Sequence, residues 1–88
     1  MNRSDVIRHK LDNALSPSEI KVIDESSLHA GHAGSPGGGE THYRVEVISA
    51  VFIGKSRVER ERLVHSILLD EFLGGLHALS IKARVPED

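Results

Sequence analysis

His29 and His32 stand three residues apart in the glycine-rich stretch SSLHAGHAGSPGGGE (residues 26–40), and His77 heads a segment in which apolar and polar residues alternate. The chain has no cysteine, so imidazole is the only borderline-soft metal ligand that it offers. A flexible loop can carry a ligand toward a fixed one without distorting a sheet, which makes His77, His32 and His29 the candidate metal ligands. A plainer reading stands beside this one. A histidine in phase with the apolar face of a strand also serves as a packed core residue, and a loop histidine is also simply solvated. The other three histidines suggest less: His42 falls on the polar side of an alternating segment, His65 inside a helical run, and His9 on the polar side of another.

Other chemistries are poorly provided for. Without cysteine there is no disulfide scaffold, no cysteine-based zinc finger, no thiol catalyst and no iron-sulfur cluster held on the chain's own thiolates. Asp24-Glu25 and Asp70-Glu71 are adjacent pairs whose side chains point to different faces, not facing carboxylates, and no Ser-His-Asp order stands out. Nothing argues for an enzyme. Lys55, Arg57, Arg60 and Arg62 crowd the start of a helical run and are the candidate nucleic-acid-binding residues, with Lys82 and Arg84 adding charge further on. Glu59 and Glu61 dilute that cluster. Eleven Lys and Arg against 13 Asp and Glu give a net charge of -2, so no overall positive field would hold the chain on a phosphate backbone.

The elements that must position these residues follow from length and periodicity. Eighty-eight residues suit a single domain over 1–88 with a thin core and little room for a deep substrate pocket. With 39% hydrophobic and 27% charged residues the composition is that of a soluble globular domain. The first ten residues are charged and lack an apolar signal-like region, and apolar runs are only a few residues long. The expectation is a cytoplasmic protein with no membrane segment.

Ile7, Leu11, Ala14 and Leu15 form one helical stripe, with Ser4 placed to cap it and Ser16-Pro17 to end it. Ile20 and Val22 begin a short strand reaching about Glu25. The 26–40 stretch reads as a flexible Gly/His-rich loop within the domain, longer than most connections. Tyr43, Val45 and Val47 then mark a half-buried strand to about Ser49, and a turn over 50–55 with a short helical piece leads onward. Ser56-Arg57-Val58-Glu59 has capping-box spacing and opens a main helix over roughly 57–72, which Gly74-Gly75 ends. His77, Leu79, Ile81, Ala83 and Val85 mark a last strand, closed by Pro86.

The order is α-β-β-α-(α)-β. A helix between the second and third strands allows them to pair in parallel, giving an α/β (α+β) domain with a mixed three-stranded sheet and helices packed on one face. This is the order of a KH-like domain, but there is no G-x-x-G nucleotide clamp joining two helices. A formal match, Gly31-His32-Ala33-Gly34, lies between two strands.

Several stretches in order carry a family likeness: Lys10-Leu11 through Leu15-Ser16-Pro17, Asp24-Glu25-Ser26, His29-Ala30-Gly31-His32-Ala33-Gly34, Glu40-Thr41-His42-Tyr43-Arg44-Val45, Phe52-Ile53-Gly54-Lys55-Ser56 and His77-Ala78-Leu79-Ser80-Ile81. Over nearly its whole length the chain resembles the BolA-like protein family. The resemblance implies a KH-like fold without the nucleotide clamp. It also implies a non-enzymatic adaptor that pairs with a monothiol glutaredoxin and shares a [2Fe-2S] cluster with it, in iron-sulfur delivery to recipient proteins and in iron homeostasis. The family's C-terminal histidine ligand corresponds to His77, and its loop ligand to His32 or His29. Two imidazoles alone cannot hold a cluster, so the partner brings the thiolates and the isolated chain is expected to hold no cofactor. Some family members are described as DNA-binding regulators, which the basic residues 55, 57, 60 and 62 would serve. The family's Arg-His-Arg appears here as Arg60-Glu61-Arg62, a departure at the middle position.

Overall fold

A computed structural model describes residues 2–25 and 42–86. The 26–40 loop, with His29 and His32, lies outside the described residues.

The first helix, α1, runs Arg3–Leu15 and begins two residues earlier than the Ser4 cap implies. Asn2 is the N-cap, its side-chain oxygen accepting the Asp5 N–H at 2.9 Å; asparagine satisfies a first-turn donor as well as serine does, so the helix gains two residues and Ser4 lies inside it. At the other end Ser16 adopts the left-handed conformation (φ 42°) and returns its N–H to the Asp12 carbonyl, and Pro17 follows. Ile7, Leu11 and Leu15 are buried as the stripe requires, while Ala14 is exposed.

The strands are β1 (Glu19–Asp24), β2 (His42–Ile48) and β3 (Ala78–Arg84), in the order β1-β2-β3. β1 and β2 pair antiparallel from Glu19↔Ile48 to Asp24↔Tyr43. β2 and β3 pair parallel from His42↔Ala78 to Ile48↔Arg84, as the intervening helix allowed. The crossover contains a short 3-10 turn (Ala50–Phe52), then α2 (Arg57–Ile67) and α3 (Leu69–Leu73). Tyr43, Val45 and Val47 point from the central strand into a core shared with Ile7, Leu11, Leu15, Phe52, Val64, Leu68 and Leu76. Lys21, Arg44, Lys82 and Arg84, at alternate positions, are exposed. The fold is therefore α+β with a mixed sheet, its core between the sheet and the helices.

The expected single helix over 57–72 is in fact two, broken at Leu68 (φ −101°, ψ 13°). Periodicity cannot reveal this, because the Val64, Leu68, Phe72 spacing survives a one-residue offset. Past the break Glu71 meets α1: its carboxylate lies 2.7 Å from Lys10 Nζ and 3.9 Å from Arg3 Nε. Arg3 Nη2 also donates to the Gly74 carbonyl at 2.9 Å. Gly75, at φ +119°, then turns the chain into β3 through a backbone conformation that side chains rarely adopt.

Candidate metal centre

In a parallel pair both strands start at the same end of the sheet. His42 opens β2 and His77 immediately precedes β3, so the register His42↔Ala78 brings the two histidines together. Their ring centres are 6.0 Å apart with the planes at 69°, an edge-on arrangement. β1 runs the opposite way and finishes at this same end, where the Glu25 N–H donates to the His42 carbonyl at 2.7 Å and Glu25 pairs with Arg44 at 3.1 Å. The 26–41 segment therefore leaves the sheet beside His42 and rejoins it at His42. Both roots of the stretch that carries His29 and His32 lie at the end of the sheet where His77 sits.

His77 itself is exposed, whereas Leu76 before it is 3% exposed and belongs to the core. The imidazole is thus not a core residue. Buried Leu76 on one side and the β3 ladder on the other fix its backbone. His42 is half-buried. Its pairing with His77 was missed by reading it as one polar position of an alternating strand; the signal that finds it is the parallel register, which sets residue 42 against residue 78. Among the described residues no group of three or more His, Cys, Asp or Glu converges as a metal site.

The remaining histidines have other surroundings. His65 stacks on Phe72, ring centres 5.2 Å apart, bridging α2 and α3. His9 Nε2 lies 3.1 Å from Asn13 Nδ2 along the exposed side of α1.

The basic start of α2 is committed to structure at one of its four residues, Arg60. Arg60 is partly buried and donates from Nε to the Lys55 carbonyl at 2.9 Å and from Nη1 to the Ala83 carbonyl at 3.2 Å, tying α2 to β3. Arg57, its side chain 90% exposed, reaches forward one turn to Glu61 at 3.3 Å. The capping box forms as its spacing indicated: the Glu59 N–H donates to Ser56 Oγ at 3.2 Å, and the Ser56 N–H to Glu59 Oε1 at 3.0 Å. Hydrogen bonding to the carboxylate from Ser56, its backbone N–H foremost and its hydroxyl next, holds the Glu59 carboxyl below the ordinary glutamate value. Lys55 and Arg62 complete the four residues at the helix start.

A sheet with one antiparallel and one parallel pair, a two-helix crossover and a histidine ahead of the last strand define a family. The sequence model described as BolA-like protein matches residues 11–88, and the chain belongs to that family. It is 50% identical over 86 residues to SufE-like protein 1, chloroplastic/mitochondrial, of Arabidopsis thaliana, covering 93% of this chain and 23% of that protein. It is 48% identical over 80 residues to BolA-like protein 1 of Pongo abelii, covering 91% of this chain and 56% of that one. The chain thus spans about a quarter and about half of these two relatives. Among solved structures, the BolA domain of SufE1 from Arabidopsis thaliana superposes with a TM-score of 0.88 at 46% identity, covering 98% of this chain and 94% of that one. No helix among the described residues is long and apolar enough to cross a membrane.

Proposed function

We propose that this chain is a non-enzymatic adaptor, working in the cytoplasm, that pairs with a monothiol glutaredoxin and supplies histidine ligands to a [2Fe-2S] cluster shared between the two. Its role is cluster delivery to iron-sulfur assembly or recipient proteins and iron homeostasis. One observation carries the reading: exposed His77 stands at the end of the sheet where both roots of the His29/His32 segment are anchored. The donor set agrees with it. This chain offers imidazoles and no thiolate, so a cluster held here is bridged to a partner that brings cysteine sulfur. Mixed His and Cys ligation raises a cluster's reduction potential above that of all-Cys ligation. The chain's own part is positional: the β2–β3 ladder and buried Leu76 hold His77 in place, and the apolar side chains of Leu69 and Leu73, 57% and 79% exposed on the helix before it, offer contact to a docking protein.

The test is a cluster-loaded complex with a monothiol glutaredoxin. His77→Ala should remove the histidine signature from its visible spectrum while the protein stays folded, and of His32→Ala and His29→Ala the one that alters the spectrum or speeds cluster loss identifies the loop ligand. Parental spectra from all three variants overturn the reading.

The alternative, a nucleic-acid-binding regulator using Lys55, Arg57, Arg60 and Arg62, draws less support, because Arg60 is spent on two carbonyls and the acidic Glu59 and Glu61 stand among the four. Titration against duplex DNA at two salt concentrations decides it. Binding through several cations must weaken steeply with salt, and no binding at low salt removes this reading.

A further inference from the structure

We propose that the free edge of β3, where it faces the start of α2, binds an acidic, extended peptide segment of a partner protein as a fourth strand beside the three of the sheet. This surface stands apart from the cluster reading. His77 marks the start of β3, whereas the groove lies toward its other end, between Arg57 and Arg60 of α2 and residues 81–84.

β3 ends the strand order, so one of its sides has no neighbouring strand. The Arg84 carbonyl accepts the Ser49 N–H from the β2 side. Backbone groups alternate in direction along a strand, so Leu79, Ile81 and Ala83 turn their N–H and C=O groups outward. Among the described residues one bond reaches that row, from Arg60 Nη1 to the Ala83 carbonyl at 3.2 Å. Leu79 and Ile81 remain open at both groups, and Ala83 at its N–H. Such a row is a template for another extended backbone. The charges around it choose the partner. Lys82 and Arg84 stand exposed on the open face of the sheet beside the edge, while Arg57 and the partly buried Arg60 face it from α2. Glu61, paired with Arg57, is the one carboxylate among the described residues of the groove. No carboxylate among the described residues pairs with the side chain of Lys82 or Arg84. On the opposite face Ile81 and Ala83 are half-buried. An added strand therefore sets alternate side chains beside cations on one face and beside apolar groups on the other, which selects a segment alternating acidic and apolar residues. Nucleic acid fits less well. Its backbone cannot complete a row of strand hydrogen bonds, and none of the described residues lining the groove is aromatic, so bases find no aromatic platform.

The experiment is fluorescence anisotropy of a dye-labelled peptide of about eight residues, a strand's length, in which glutamate and valine alternate, titrated with the intact chain in about 0.15 M salt. The parent should bind it saturably. Lys82→Glu and Arg84→Glu should each weaken binding by at least about threefold, whereas Arg8→Glu, the same change of net charge at an exposed position of α1, should bind as the parent does. Two further peptides, one N-methylated on its valines and the other on its glutamates, separate strand pairing from charge attraction. The one whose methyl groups fall toward β3 should lose at least about tenfold in affinity, because its strand hydrogen bonds are blocked. No saturable binding, or parental affinity from both methylated peptides, overturns the proposal. So does a single-stranded oligonucleotide that binds through Lys82 and Arg84 where the peptide does not, which assigns the groove to nucleic acid.

Discussion

Ser49 Oγ donates to the Leu15 carbonyl at 2.6 Å, in a position only 1% exposed, and so joins the end of β2 to the last turn of α1 across 34 residues of sequence. The same oxygen accepts the Val51 N–H at 3.1 Å, capping the short 3-10 turn that starts the crossover. One buried hydroxyl thus satisfies a helix-end carbonyl and a turn-start donor.

Ser49→Ala should cost about 1–3 kcal/mol, the penalty of leaving buried polar groups unpaired. Urea denaturation of both proteins measures it. A variant within about 0.5 kcal/mol of the parent, the range of surface changes, would mean that water replaces the hydroxyl.

Leu68 is fully buried at the junction of α2 and α3, so Leu68→Ala should cost about 2–5 kcal/mol, a large part of the stability of so small a domain. Ile81→Ala should cost less, since Ile81 is only partly buried against the same cluster. Equal losses in chemical denaturation would show that β3 is more deeply covered than its exposure indicates.

Gly75 holds a φ of +119°, and a Cβ there would lie 3.6 Å from the Arg3 guanidinium, an ordinary contact. The cost of Gly75→Ala is therefore backbone strain and not crowding, about 1–3 kcal/mol. If Gly75→Ala instead leaves the thermal midpoint unchanged, the turn into β3 has another accessible conformation.

The capping carboxylate makes stability depend on pH with a definite sign. Glu59 has its carboxyl held below the ordinary value in the folded chain, so its contribution is present above the unfolded value of 4.5 and is lost as pH falls through the lower folded value. The melting temperature of the parent should exceed that of Glu59→Gln at neutral pH, and the gap should close on acidification below about 4.5. A gap that is constant with pH would assign the effect to the hydrogen bond's shape and not to its charge.

His77 is exposed and its ring meets only the edge of His42, outside the core, so His77→Ala should stay within about 0.5 kcal/mol of the parent in denaturation. A larger loss would make His77 a structural residue and weaken its reading as a cluster ligand.

The local pattern of the chain was enough to determine most elements. Alternation of Tyr43, Val45 and Val47 marked β2, the Ser56/Glu59 spacing marked the start of α2, and a helix between the last two strands led to their parallel pairing. Each of these signals depends on neighbours a few residues apart, which is the range over which periodicity and capping act. The likeness to the BolA-like family also needed only short motifs in order. Three features required the tertiary structure. The first helix takes its cap from Asn2 because two residues, Asn2 and Ser4, are both competent caps and only packing decides between them. The break at Leu68 leaves the apolar spacing unchanged, so periodicity does not reveal it; in the tertiary structure it places Glu71 of α3 against Lys10 and Arg3 of α1. The meeting of His42 with His77 is created by strand register, a contact across 35 residues that no local pattern encodes, and it turns a histidine that looked like a surface position into the neighbour of the candidate ligand.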